Sequence, residues 1–202
     1  MIIDLKRARE EKVERILEAA VAVLAEKGYE NATIKQIALK AKVNWGLLHY
    51  YFKDKEDLVV HALEFASDKI LASTSQLFSA ERSPEETVDR TIDLLKKNYS
   101  ENAGFYKLLF EMWCASGRSK KIKTALVECM NRVVAALQIE LDKTLSTGID
   151  GSKRPHYSRG LASLILAMSD GMAFQMILET DKIHDENIWQ LFRSSVLGLL
   201  RK

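Results

Sequence analysis

Proline and glycine are scarce, two and nine among 202 residues, so helix breakers are few and long helices are expected. Cysteine is as rare as proline. Cys114 and Cys129 stand inside apolar helical patterns without metal-ligand spacing, which predicts two reduced, buried thiols rather than a disulfide framework. No stretch approaches the ~18 consecutive apolar residues of a membrane span, and the charged N-terminus has no signal-peptide core. A cytoplasmic protein without a membrane partner is the expectation. The four histidines, His49, His61, His156 and His184, fall in no metal or triad spacing. The acids near His184, namely Glu179, Asp181 and Asp185, read as a helix-end charge cluster. P-loop, Gly-rich dinucleotide turn and nucleophile elbow are all missing, which argues against an enzyme and against any bound cofactor or metal.

What is present is periodicity. Apolar residues make up 47% of the chain, enough for a real core, and the length corresponds to about one and a half domains. Val13, Ile16, Leu17, Ala20, Val21 and Leu24 mark one face of a first helix, with Gly28 as its C-terminal stop. Thr33-Ile34-Lys35-Gln36 is a capping box opening a short second helix whose buried side is Ile34, Ile37, Ala38 and Ala41. Asn44 caps a third helix, and Asp54-Lys55-Glu56-Asp57 starts a fourth that runs to about Leu77. Beyond the loop Ala80-Glu81-Arg82, Ser83-Pro84-Glu85-Glu86 is a very clear fifth start. Further apolar stripes follow at Phe105–Trp113, Ile122–Leu137, Leu161–Gln175 and Ile188–Leu199, with Thr147–Pro155 as the most loop-like stretch. No period-two alternation or repeat is found. The fold class is all-α, with roughly nine helices.

The third helix singles itself out. At about seven residues, roughly 10 Å, it is too short to be stable alone, so the first two helices must hold it. It cannot bury Trp45, Leu48, His49, Tyr50, Tyr51 and Phe52 all on one side, and some of these rings are expected in solvent, beside lysines. Exposed aromatics of this kind point to a contact surface. Between Thr33 and Lys55 stand five lysines, Lys35, Lys40, Lys42, Lys53 and Lys55, against the single acid Asp54, although the chain carries only +2 net. A local basic patch on a near-neutral protein suits phosphate contact.

Residues 33–38 (Thr-Ile-Lys-Gln-Ile-Ala) and 43–58 (Val-Asn-Trp-Gly-Leu-Leu-His-Tyr-Tyr-Phe-Lys-Asp-Lys-Glu-Asp-Leu) resemble the head of tetracycline-repressor (TetR) family regulators, over roughly residues 9–65. The resemblance implies a helix-turn-helix head within a DNA-binding domain at 1–55 and a ligand-binding and dimerisation domain at 56–202. Its implied partners are a palindromic double-stranded DNA operator, a second copy of the chain, and a small hydrophobic effector that releases a repressor. Thr33 would bond phosphate; Asn44, Trp45 and Leu47 would face base edges or thymine methyls. His49 and Tyr50 would reach phosphate and base edges, and Lys55 would anchor the backbone with Lys42 and Lys53 nearby. Gly46 would permit close approach, and Phe52 would plug the core. Three positions depart from the family's pattern. Lys42 stands where the turn often has Gly, which implies either mild backbone strain or a different turn. Trp45 and Leu47 replace smaller polar residues, so phosphate contacts and DNA shape are expected to supply more of the recognition. These departures favour one alternative, a helical interaction module of the same fold without DNA binding.

In the body, Leu161, Leu164, Ile165 and Met168, beside Ile188, Leu191, Phe192, Ser195, Val196 and Leu199, form two stripes suited to a two-fold four-helix bundle. Phe105, Phe110, Trp113, Met130, Met168 and Met172 supply methionine and aromatic material for an apolar effector pocket, with His61, Tyr106 and Gln175 as polar anchors.

Overall fold

The computed structural model describes residues 2–74, 83–144 and 154–201. Among the described residues there are nine α-helices and no strand. They are α1 (Ile2–Asn31), α2 (Ile34–Lys40), α3 (Trp45–Tyr51), α4 (Lys55–Thr74), α5 (Pro84–Glu101), α6 (Ala103–Ser116), α7 (Lys120–Thr144), α8 (Arg154–Leu178) and α9 (Glu186–Leu200), with a short 3-10 helix at Thr180–His184. The expected fourth-helix end near Leu77, the Ala80–Arg82 loop and most of the Thr147–Pro155 loop lie outside the described residues. Arg154 and Pro155, expected as loop, instead open α8, where a first-turn proline costs no hydrogen bond.

The helix starts follow the local chemistry. Thr33 and Ser83 each close a reciprocal capping box, with Gln36 and Glu86 as the returning partners. Asn44 caps α3 through a 2.9 Å bond from the Gly46 N–H to its side-chain oxygen. Asp185 caps α9 in the same way.

The chain divides into two compact units, each gathered from two stretches of sequence. The first comprises residues 1–68 and 104–128, and its core joins Ile16, Ala20 and Leu24 of α1 to Ile37, Leu48, Leu58 and Leu63, and to Leu108, Met112, Ile122 and Leu126. The second comprises residues 69–103 and 129–202. There the Tyr99 hydroxyl bonds Ser169 at 2.8 Å, its ring stacks on buried Trp189, and Arg193 grips Asp89 through two bonds.

One sequence expectation needs correction. Cys129 is buried, but Cys114 is exposed, because it falls in the last turns of α6 beside exposed Trp113, off the Tyr106-Leu108-Met112-Ala115 face that packs inward. Helix α8, over Pro155–Leu178, is long and apolar, with an 18-residue stretch of mean hydropathy 1.6 of which 33% is buried. Ser163, Ser169, Asp170 and Gln175 interrupt it, so no long consecutive apolar run is formed there.

Candidate nucleic-acid interface

The α2–α3 corner explains how so short a helix is held. After α2, Val43 N–H reaches back to the Ala38 carbonyl at 3.0 Å, and Lys42 N–H to the Leu39 carbonyl at 3.1 Å. This is the paired pattern of a Schellman termination, which needs a left-handed residue between the two donors. Lys42 supplies it, with φ 55°, among described residues the one non-glycine with positive φ. Of the two possibilities open from sequence, backbone strain is the one realised. Leu48, 1% exposed, and buried Phe52 then pin α3 to the core from beneath.

The opposite face of α3 is open. Trp45 is 53% exposed and Tyr50 71%, and His49 is exposed with them. The Trp45 and His49 rings meet edge to face at 5.5 Å, and those of Tyr50 and Tyr51 at 5.1 Å. Leu47 is half-buried, so only part of its side chain is presented. Gly46 is exposed, and a Cβ there would come within 3.3 Å of the capping Asn44 oxygen. Thr33 accepts the Gln36 N–H at 3.2 Å, which leaves its own hydroxyl proton to donate outward. Lys35, Lys40, Lys42 and Lys53 are all exposed around this face.

Lys55 differs from the other lysines. Its ammonium donates to the Glu30 carbonyl at 3.2 Å and lies 4.7 Å from the centre of the Tyr29 ring. Burial pulls its pKa below the ordinary lysine value. It therefore ties the start of α4 to the end of α1. The same corner is braced by Glu111, which accepts the Tyr29 N–H at 2.8 Å, and by Arg118 on Glu30 at 2.8 Å. Ser119 donates to Glu56, and Lys121 bonds Asp57 at 2.8 Å. The Lys121 bond and then the Lys53 N–H hold the Asp57 carboxyl below its usual range. Sequence reading missed this brace, whose partners lie 63 to 88 residues apart.

In the second unit the stripes separate. Leu161, Ile165, Phe192 and Val196 are buried in their own unit, while Leu164, Leu191 (68% exposed) and Ser195 are exposed and Met168, Ile188 and Leu199 half-buried. Met168, Gly171, Met172 and Gln175 of α8 join Ile188, Leu191 and Ser195 of α9 along a groove of about 440 Å³. The other effector candidates do not gather there. His61 is exposed in the first unit, with Nδ1 2.8 Å from the Asp57 carbonyl; Tyr106 is buried and Phe105 and Phe110 are half-buried. Trp113 and Met130 are exposed. One polar group was overlooked. Asp170, the single charged residue between Gly160 and Leu178, is mostly buried, and burial pushes its carboxyl up to about 6. Its isolation within an apolar helix was the available signal.

Residues 16–62 match the family model described as bacterial regulatory proteins, tetR family. The chain is 27% identical to an uncharacterised HTH-type transcriptional regulator, YuxN of Bacillus subtilis, over 83% of its own length and 56% of that protein's. It is 42% identical to the HTH-type transcriptional regulator HbdR of Aromatoleum over 29% of its length and 26% of that protein's. These matches thus span about a quarter to just over half of the curated relatives' lengths. In fold it is similar to a TetR transcription regulator from Haloarcula marismortui, with TM-score 0.71 and 20% identity over 95% of this chain and 97% of that one. The capped α2, the held-out α3 and the matched segment agree: residues 16–62 form a helix-turn-helix head of the TetR type, and the chain as a whole is similar in sequence and fold to TetR-family transcriptional regulators.

Proposed function

We propose that the chain is a dimeric repressor that occupies a palindromic operator and leaves it when a small hydrophobic effector binds the body. The observation that carries the reading is the open face of α3, whose exposed Trp45, His49 and Tyr50 stand among four exposed lysines. Such a face suits major-groove entry, with phosphates met at its margins. Residues 1–55 act as the DNA-binding domain and 56–202 as the ligand-binding and dimerisation domain. Thr33, Lys42 and Lys53 take phosphates, Asn44 presents its amide to a base edge, and Trp45 and Leu47 meet thymine methyls. Gly46 keeps α3 close to the groove, and Lys55 reaches a phosphate from its seat at the α1–α4 corner.

The exposed parts of α8 and α9, centred on Leu164, Leu191 and the groove between the helices, form the two-fold seam of the dimer. That assignment places Met168, Met172 and Gln175 in the seam and leaves the aromatic residues Phe105, Tyr106 and Phe110 for the effector. It also accounts for the apolar length of α8 in a cytoplasmic protein, since a second copy covers the surface that a bilayer would otherwise have to cover.

A gel-shift and footprint on the DNA flanking the gene, repeated with extracted metabolites, tests the reading. The expected footprint is palindromic, is lost or weakened by Tyr50→Ala and by Lys55→Ala, and is released by an extract fraction. Salt-dependent binding is expected throughout. No binding to any duplex in dilute salt would leave the alternative, an interaction module of the same fold.

A further inference from the structure

We propose that Arg9, on α1 and not among the residues given DNA contacts above, contacts the DNA backbone and is held ready for it by Tyr50 and Tyr51. The inference rests on the reading of α2 and α3 as the duplex-binding element. The core-facing stripe of α1 runs through Val13, Ile16, Ala20 and Leu24, and Arg9 continues it one turn further out. There the helix has passed the edge of the core and meets the C-terminal end of α3 instead. The Arg9 guanidinium carbon lies 5.5 Å from the Tyr51 ring centre and 6.0 Å from that of Tyr50.

A guanidinium seated on rings spends its flat face on them and keeps the N–H donors around its edge for another acceptor. Among the described residues no carboxylate lies within ion-pair distance of Arg9, whereas neighbouring Arg7 is paired with Glu11 at 3.3 Å. Arg9 is exposed, and so is Tyr50 beneath it. At 3.6 residues per turn, Glu10, Glu14 and Glu18 are turned away from Arg9 by more than a quarter of a turn, so a duplex on α3 meets α1 at its cationic edge. The ligand that fits a planar fork of free donors beside a groove-binding helix is a phosphate diester.

Full-length wild type, Arg9→Gln and Arg9→Lys are compared for binding a short duplex enriched from random-sequence DNA by the wild-type protein, across a salt series. Arg9→Gln is expected to make log K against log salt shallower by about 0.9 per head and to weaken a scrambled duplex as much as the enriched one. Arg9→Lys keeps the slope while losing part of the affinity, and the thermal unfolding midpoints of both variants stay near wild type. A Gln variant with wild-type affinity and slope overturns the assignment alone. So does a loss confined to the enriched duplex, which would mean base-edge reading, or a loss tracking a lowered unfolding midpoint, which would mean a structural role. A wild type that binds no duplex overturns the DNA reading and this inference together.

Discussion

Asp170 is a carboxylate that the fold holds largely away from water. An aspartate unfolds into water at its ordinary value, near 3.8, but is held at about 6 in the folded chain. The folded state therefore binds more protons between those values, and stability falls as pH rises through that window, reaching its full deficit above 6. The penalty is on the order of 1–3 kcal/mol at neutral pH. Asp170→Asn is expected to raise stability to urea by that order at pH 7.5 and to flatten the pH profile between about 4 and 6. An unchanged profile would show that another group sets it. Residues such as Thr33, Asn44 and Ser83 were legible beforehand because a cap needs only partners two or three positions away. Asp170 was not, because its environment comes from another helix. Lys42 lay between. Its place in the turn was evident from the sequence, but which of two backbones it adopts depended on the back-bonds to Ala38 and Leu39.

At the scale of elements, the end of α1 shows how a local signal and a distant partner combine. Gly28 reads as a stop, and its φ of 75° and ψ of 166° lie in a region open essentially to glycine alone. The chain nevertheless resumes helical hydrogen bonding to Asn31, because the Glu111 carboxylate takes the Tyr29 N–H. A Cβ at Gly28 would lie 3.2 Å from that carboxylate, so strain and crowding coincide. Gly28→Ala should cost about 2–4 kcal/mol, the backbone outlier adding to displacement of Glu111. Chemical denaturation measures it. A loss below about 0.5 kcal/mol would mean the corner relaxes freely. The exposure of α3 was legible from its length and its crowd of rings. The tethering of Lys55 was not, since its carbonyl partner lies 25 residues away and leaves no periodic trace.

At the scale of the molecule, the proposed two-fold seam makes Leu191 a sharp probe. At 68% exposed it contributes little to its own unit, so Leu191→Glu should leave the unfolding midpoint of the separated chain near wild type. In a closed seam the carboxylate appears twice and loses its water, which weakens association by about 3 kcal/mol or more. Sedimentation should then show monomers at concentrations where the wild type is dimeric, together with much poorer operator binding. Persistent dimers would move the interface elsewhere. The all-α class and the helix count were readable from periodicity alone. The gathering of helices into units was not, because amphipathic stripes say that a face is covered without saying by which partner.

That gathering has a consequence for biosynthesis. The residues that complete the core of the first unit, Leu108, Met112, Ile122 and Leu126, follow α4 by more than thirty positions, with all of α5 in between. A ribosome that has released α1 to α4 has thus made a nascent head still lacking one wall of its core. The head can finish closing only once α6 and the start of α7 have emerged, so the reading helix acquires its rigid seat late in translation rather than at its start.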